Sequence, residues 1–131
     1  MAVRTFRDLV CWQLAYELKC EVFELTAIEP GSRDFKFRDQ IRDSSASAPR
    51  NIAEGFGRFR PTEFARFLEI ARGSLMETQS SLLDGRDRGY FEPSRCSRLW
   101  NLAGAALRAT TGLMLQQRAR ARHPAAKRGR R

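Results

Sequence analysis

Glu54 and Glu77 are the residues of this 131-residue chain best suited to chemistry. Two carboxylates held together in a pocket can divide the work of acid and base. Asn51, Arg58, Glu63 and Arg66 are expected to gather with them around one turn. Glu54 and Arg58 are four apart, so they reach one another if a helix persists through Gly57. The alternative is a polar network that fixes this turn and a subunit contact. That structural reading is favoured, because ion pairs commonly knit helices whereas acid–base sites need a pocket. Gly55-Phe56-Gly57-Arg58 resembles a phosphate loop only weakly: a third glycine, a preceding strand and a following Gly-Lys-Ser/Thr are all missing. His123 is the sole histidine, and no partner residues offer it a zinc site or a Ser-His-Asp arrangement. Cys11, Cys20 and Cys96 are odd in number and none forms a close pair, which argues against a disulfide framework or a zinc site and for a reducing compartment. No complete catalytic set can be assembled. The expectation is a protein that is not an enzyme and carries no metal or cofactor.

The net charge of +9 is distributed unevenly. All fifteen acidic residues lie at or before Glu92, and up to Gln117 seventeen cations leave the body at +2. Arg118, Arg120, Arg122, Lys127, Arg128, Arg130 and Arg131 add +7 in the last fourteen residues. Such an arm commonly contacts RNA, DNA or another polyanion; the plainer alternative is a solubilising end that touches nothing specific. Phe56, Phe59, Phe64 and Phe67 are interleaved with Arg58, Arg60 and Arg66. Aromatics among arginines can stack exposed bases, but the same mixture is enriched at subunit interfaces. The interface is favoured here, on the expectation that one bundle cannot bury four Phe at one end.

Four helices must position these residues. Cys11, Ala15, Leu18, Val22 and Leu25 line one seam of a helix expected over 6–28. Pro30-Gly31-Ser32 ends it. A second helix is expected over 34–55, with Asp34 as N-cap and Phe37, Ile41, Ser45, Ala48 and Ile52 as its seam. Its middle, Ser44 to Ala48, carries small side chains that admit a close neighbour, and Pro49 should kink it. Gly55-Phe56-Gly57 should close it with a left-handed glycine. The cleanest heptad follows over 61–87: Phe64, Leu68, Ala71, Leu75, Thr78 and Leu82. Gly73 inside it costs about 1 kcal/mol relative to alanine, which suggests a crowded helix contact. The fourth helix should start at Ser94 as N-cap and reach about Ala121, with Leu99, Ala103, Ala106, Thr110 and Leu113 as its seam. No stretch alternates with a period of two. The fold class is all-α, an antiparallel up-down four-helix bundle over 1–121, followed by a disordered basic tail over 122–131. The N-terminus has no apolar signal segment and no run is long enough to span a bilayer, so a cytoplasmic protein without a membrane partner is expected.

Two stretches go beyond a generic bundle. One is Phe6-Arg7-Asp8-Leu9 with Cys11-Trp12-Gln13 and Ala15. The other is Asn51-Ile52-Ala53-Glu54-Gly55-Phe56-Gly57-Arg58 with Glu63-Phe64, Arg66-Phe67-Leu68, Ile70-Ala71, Gly73-Ser74-Leu75 and Glu77-Thr78. Over residues 6–90 the chain resembles the 23S rRNA intervening-sequence proteins. The resemblance implies an antiparallel four-helix protomer that assembles into a ring, typically a homopentamer, with no established reaction. It singles out Trp12, Asn51, Glu54, Gly55, Arg58, Arg66, Gly73 and Glu77 as motif residues with structural or interface roles. A remote branch of the fold is similar to the accessory protein of diversity-generating retroelements, which implies a nucleic-acid enzyme such as a reverse transcriptase as a partner. Arg60 stands where the family often has a helix-capping serine, and the Arg-rich extension exceeds the family core. The reading is therefore a non-enzymatic ring that binds RNA or DNA through its basic residues. The alternative is a scaffolding ring without nucleic acid.

Overall fold

The computed structural model describes residues 2–123. Four helices, α1 (Val10–Leu25), α2 (Phe35–Gly57), α3 (Pro61–Asp87) and α4 (Pro93–Arg122), pack around one core, and no strand occurs among the described residues. Each helix packs against two others, α1 on α2 and α4, α3 on α2 and α4, so the four close into a square. The expected seams meet at its centre: Ala15, Leu18, Val22, Ile41, Ile52, Leu68, Leu75, Leu82 and Leu99 are all fully buried. Leu113 is the exception, only half-buried; Met114 and Gln117 turn inward instead.

The helix ends show why the chain bends where it does. Phe6–Asp8 forms a separate 3-10 turn, where the Asp8 carboxylate accepts from the main-chain N–H of Arg4 and Thr5, 2.8 and 3.0 Å away. Those bonds hold the Asp8 carboxyl below the ordinary carboxylate range. Leu9 is then extended, so α1 starts four residues later than the periodicity predicts. It also ends earlier, at Leu25. Arg42 of α2 donates to Thr26 Oγ1 at 2.8 Å and to the Phe23 carbonyl at 3.3 Å, with its guanidinium 4.8 Å from the Phe23 ring centre. A cation there complements the negative end of the helix dipole.

Asp34 caps α2 as expected, accepting from Phe37 N–H at 3.2 Å. It also accepts from the Tyr90 hydroxyl at 2.7 Å, tying the start of α2 to the loop before α4. The Tyr90 bond first, then the Phe37 N–H, hold the Asp34 carboxyl low, while Asp34 pushes the Tyr90 phenol up. Pro49 lies buried inside α2, and the helix continues through it. Gly55 and Gly57 remain helical, so neither is the left-handed cap; the positive φ falls on Phe59, at 63°. Likewise α4 starts at Pro93 behind Glu92, and Ser94 sits inside it, donating to the Glu92 carboxylate at 2.8 Å.

Between α2 and α3 the small side chains make a seam of hydroxyls. Ser44 meets Thr78 at 2.8 Å and Ser47 meets Ser74 at 2.9 Å. Burying these groups costs little because each is hydrogen-bonded. Thr110 differs: among the described residues its buried Oγ1 has no partner. Cys11 is buried too, and desolvation raises its thiol to about 11.

Gly73 is not the crowded point. It is exposed, and a Cβ there would meet nothing within 4 Å. The close approaches are at Gly55, where a Cβ would lie 2.7 Å from Phe67 Cβ, and at Gly85, where it would collide with the Phe91 ring and lie 2.8 Å from Phe37 Cζ. Gly73→Ala is therefore expected to stabilise the fold by about 0.5–1 kcal/mol through helix propensity. Gly85→Ala should destabilise it by about 1–3 kcal/mol through overpacking. Urea unfolding midpoints of the two variants check both signs; two shifts of the same direction would contradict the packing described.

Candidate nucleic-acid interface

Three residues, Arg58-Phe59-Arg60, join α2 to α3. A connection this short keeps the end of α2 against the start of α3, and Gly55 lets Phe64 and Phe67 pack directly on its backbone. Phe64 and Phe67 are thereby buried and Phe56 is half-buried, its ring 6.0 Å from that of Phe64 and nearly perpendicular to it. The single bundle thus buries two of the four rings fully and Phe56 in part, and, as expected, it does not bury all four. Phe59 alone stands out, 88% exposed.

The arginines divide into two groups. Arg58 and Arg66 lie over Phe67, at 5.1 and 4.9 Å from its centre. Arg58 also pairs with Glu54 at 2.9 Å, Arg66 with Glu63 at 3.6 Å and Arg118 with Glu69 at 3.4 Å. The Glu54 and Arg58 side chains are 49% and 46% exposed. In the protomer the pair is therefore a surface ion pair, worth about 0–1 kcal/mol. Arg60, Arg120 and Arg122 have no carboxylate within 4.0 Å among the described residues.

Arg118 and Arg120 lie on α4, within the helix expected to about Ala121, and Arg122 lengthens it by one residue. Gln117 and Met114 continue the buried stripe and Arg118 reaches Glu69 on α3, so the basic arm begins as packed helix. Lys127, Arg128, Arg130 and Arg131 lie outside the described residues. The last turns of α4 therefore bring cations to the α2–α3 turn. A cavity of about 400 Å³ is lined by Phe56, Phe59, Arg60, Phe64, Gln117 and Arg120, among others. Beside it, a groove of about 300 Å³ is lined by Arg66, Glu69, Arg118 and Arg122. Leu9, Phe56 and Phe64 of the cavity lie in the motif stretches, whereas Gln117 and Arg120, the residues of α4 that complete it, lie outside them.

Glu54 and Glu77 do not meet. Ser44 touches Thr78 whereas Gly55 faces Phe67, so Glu77 lies level with Ser44, about ten residues or 15 Å of helix away from Glu54. Both are exposed, and neither lines the cavity or the groove at the α2–α3 end. Asn51 spends its amide on Ser47, donating to the carbonyl at 2.8 Å and to the hydroxyl at 3.0 Å, which places it in the hydroxyl seam and not in a site. Trp12, half-buried on α1, stacks on Tyr16 at 4.7 Å and meets Phe6 edge-on at 5.1 Å. Among the described residues no three His, Cys, Asp or Glu side chains come together, and no helix is long and apolar enough to cross a membrane.

The family model described as 23S rRNA-intervening sequence protein matches residues 7–112, which takes in all of α1, α2 and α3 and two-thirds of α4. The match stops short of Gln117, Arg118, Arg120 and Arg122. No curated protein matches the chain.

Proposed function

Because the chain belongs to the 23S rRNA-intervening sequence protein family, we propose that it is a non-enzymatic, oligomeric nucleic-acid-binding protein whose contact surface is the cationic end formed by the α2–α3 turn and the last turns of α4. The observation that carries this reading is that Arg60 and Arg120 line one cavity and Arg122 the neighbouring groove, none of them paired with a carboxylate among the described residues. Phosphates bind such cations with release of counterions, and the guanidinium fork fits them in two-point geometry. Arg58, Arg66 and Arg118 are held by carboxylates and contribute less, since an incoming phosphate must displace Glu54, Glu63 or Glu69.

The protomer is proposed to be an antiparallel up-down bundle. The meeting of Ser44 with Thr78 and of Gly55 with Phe67 supports that sense for α2 and α3, as does their short connection. The family resemblance supports a ring, a pentamer, and the free Cys11, Cys20 and Cys96 support a reducing cytoplasm. Several large apolar side chains stay exposed on the protomer, among them Val10 at 61%, Phe35 at 62% and Leu115 at 53%, and such surface favours a partner copy. A scaffolding ring without nucleic acid is the competing reading; the unpaired arginines favour the first.

Light scattering on a sized peak is expected to give the mass of five protomers, and a concentration-independent monomer would refute the ring. Binding of a duplex across a salt series tests the surface. The triple variant Arg60→Ala, Arg120→Ala, Arg122→Ala should lower the slope of log K against log salt by about 2 to 3, at unchanged folding. Removal of residues 124–131 leaves α4 whole, whereas truncation after Gln117 would cut it. An unaltered slope in the triple variant would move recognition off this end.

A further inference from the structure

We propose that the cavity at the α2–α3 end is a pocket for one unpaired base of a single strand, with Phe59 stacking on the base, Gln117 bonding its edge, and Arg60 and Arg120 holding the flanking phosphates. The inference deepens the nucleic-acid reading above and rests on it.

Phe59 is the first observation. It follows the end of α2 with φ at 63°, the left-handed region where glycine is the usual residue. A bulky side chain there is an outlier. Burial does not compensate, since the ring is 88% exposed. Neither folding nor packing in the protomer accounts for phenylalanine at this position. A flat apolar ring, held out by a three-residue turn at the wall of a cavity, is a stacking face formed before any ligand arrives.

The cavity is the second. Its volume of about 400 Å³ lies within the range of small-ligand pockets and exceeds what one base needs. Phe56 and Phe64 make its inner wall. Gln117 lines it from α4, at 5% exposure, in a helical register otherwise held by Ala106, Thr110 and Met114. A carboxamide both donates and accepts, so it can bond the edge of any base. Bases in a duplex are stacked and paired, so only a single strand, a loop or an end presents one freely. Arg60 and Arg120 also line the cavity and have no carboxylate within reach among the described residues, which matches the charge on either side of an inserted base. An apolar peptide segment in the same space would leave the amide and both guanidinium groups unmatched.

Fluorescence anisotropy with the full chain and three probes of one length, about twelve nucleotides, tests this. The probes are a single strand, the same strand made abasic with its sugar–phosphate backbone intact, and the duplex. The wild-type chain should bind the intact strand about tenfold tighter than the abasic one, in the range for loss of one stacked base. Phe59→Gly keeps the left-handed backbone and should bind both strands alike, with duplex affinity, salt dependence and thermal midpoint no lower than wild type. Gln117→Leu should lose a few-fold on the intact strand only. Discrimination retained by Phe59→Gly, or absent from the wild type, would overturn the pocket while leaving the cationic surface standing. No binding of any probe at low salt would overturn the surface as well.

Discussion

At Gly55 the backbone of α2 lies so close to α3 that one added methyl would fall 2.7 Å from Phe67 Cβ and 3.0 Å from the Phe64 ring. Much of this end of the bundle depends on that approach. It lets two phenylalanines of α3 cover the end of α2, which buries them without help from another subunit. It leaves three residues to reverse the chain, and the reversal puts Phe59 in a left-handed conformation with its ring in solvent. It also brings Arg58 and Arg66 over the Phe67 ring from either helix. A bulkier residue at 55 would separate the helices and disperse all of these groups.

The electrostatics of this end follow from which arginines found carboxylates on their own helices. Arg58 and Arg66 have Glu54 and Glu63 one turn away, four and three residues back, so local geometry supplies their partners. Arg118 reaches across to Glu69. No acidic residue follows Glu92 in the sequence, so the later cations of α4 have no carboxylate on their own turns. The opposite end of the bundle is built differently. There Asp34 accepts from Tyr90 and Arg88, Arg88 also pairs with Asp84, and the charges close on one another. One end is internally neutralised; the other keeps cations available.

The heptad spacing carried most of the fold, because a seam of apolar residues at 3.5-residue intervals has few ways to be buried. The bounds of α3 are an example, since Pro61 and the Gly89 turn mark them chemically as well. What stayed illegible has a common cause: it depends on contacts between segments far apart in sequence. Nothing near Gly73 distinguishes it from Gly55 and Gly85, yet only the latter two face aromatic rings. The early end of α1 is set by Arg42, sixteen residues beyond Thr26. Charge composition grouped Arg118, Arg120 and Arg122 with the basic arm, but it could not show that the buried Gln117 and the partner Glu69 hold their stretch of helix to the bundle. Glu54 and Glu77 looked like a pair because both sit in the motif, but the register of α2 on α3 separates them. The signal that points to the site is the alternation of Phe and Arg around residue 59, and its meaning depended on which rings the protomer buries.

Ultraviolet cross-linking of the chain to a single-stranded RNA, followed by mass spectrometry of the adducted peptides, reads the contact surface directly. If the cationic end of the bundle is the binding surface, adducts should concentrate at Phe59 and its neighbours over residues 56–66 and over 117–122. Adducts concentrated instead around Asp34, Arg88 and Tyr90, or confined to residues 124–131, would contradict that assignment.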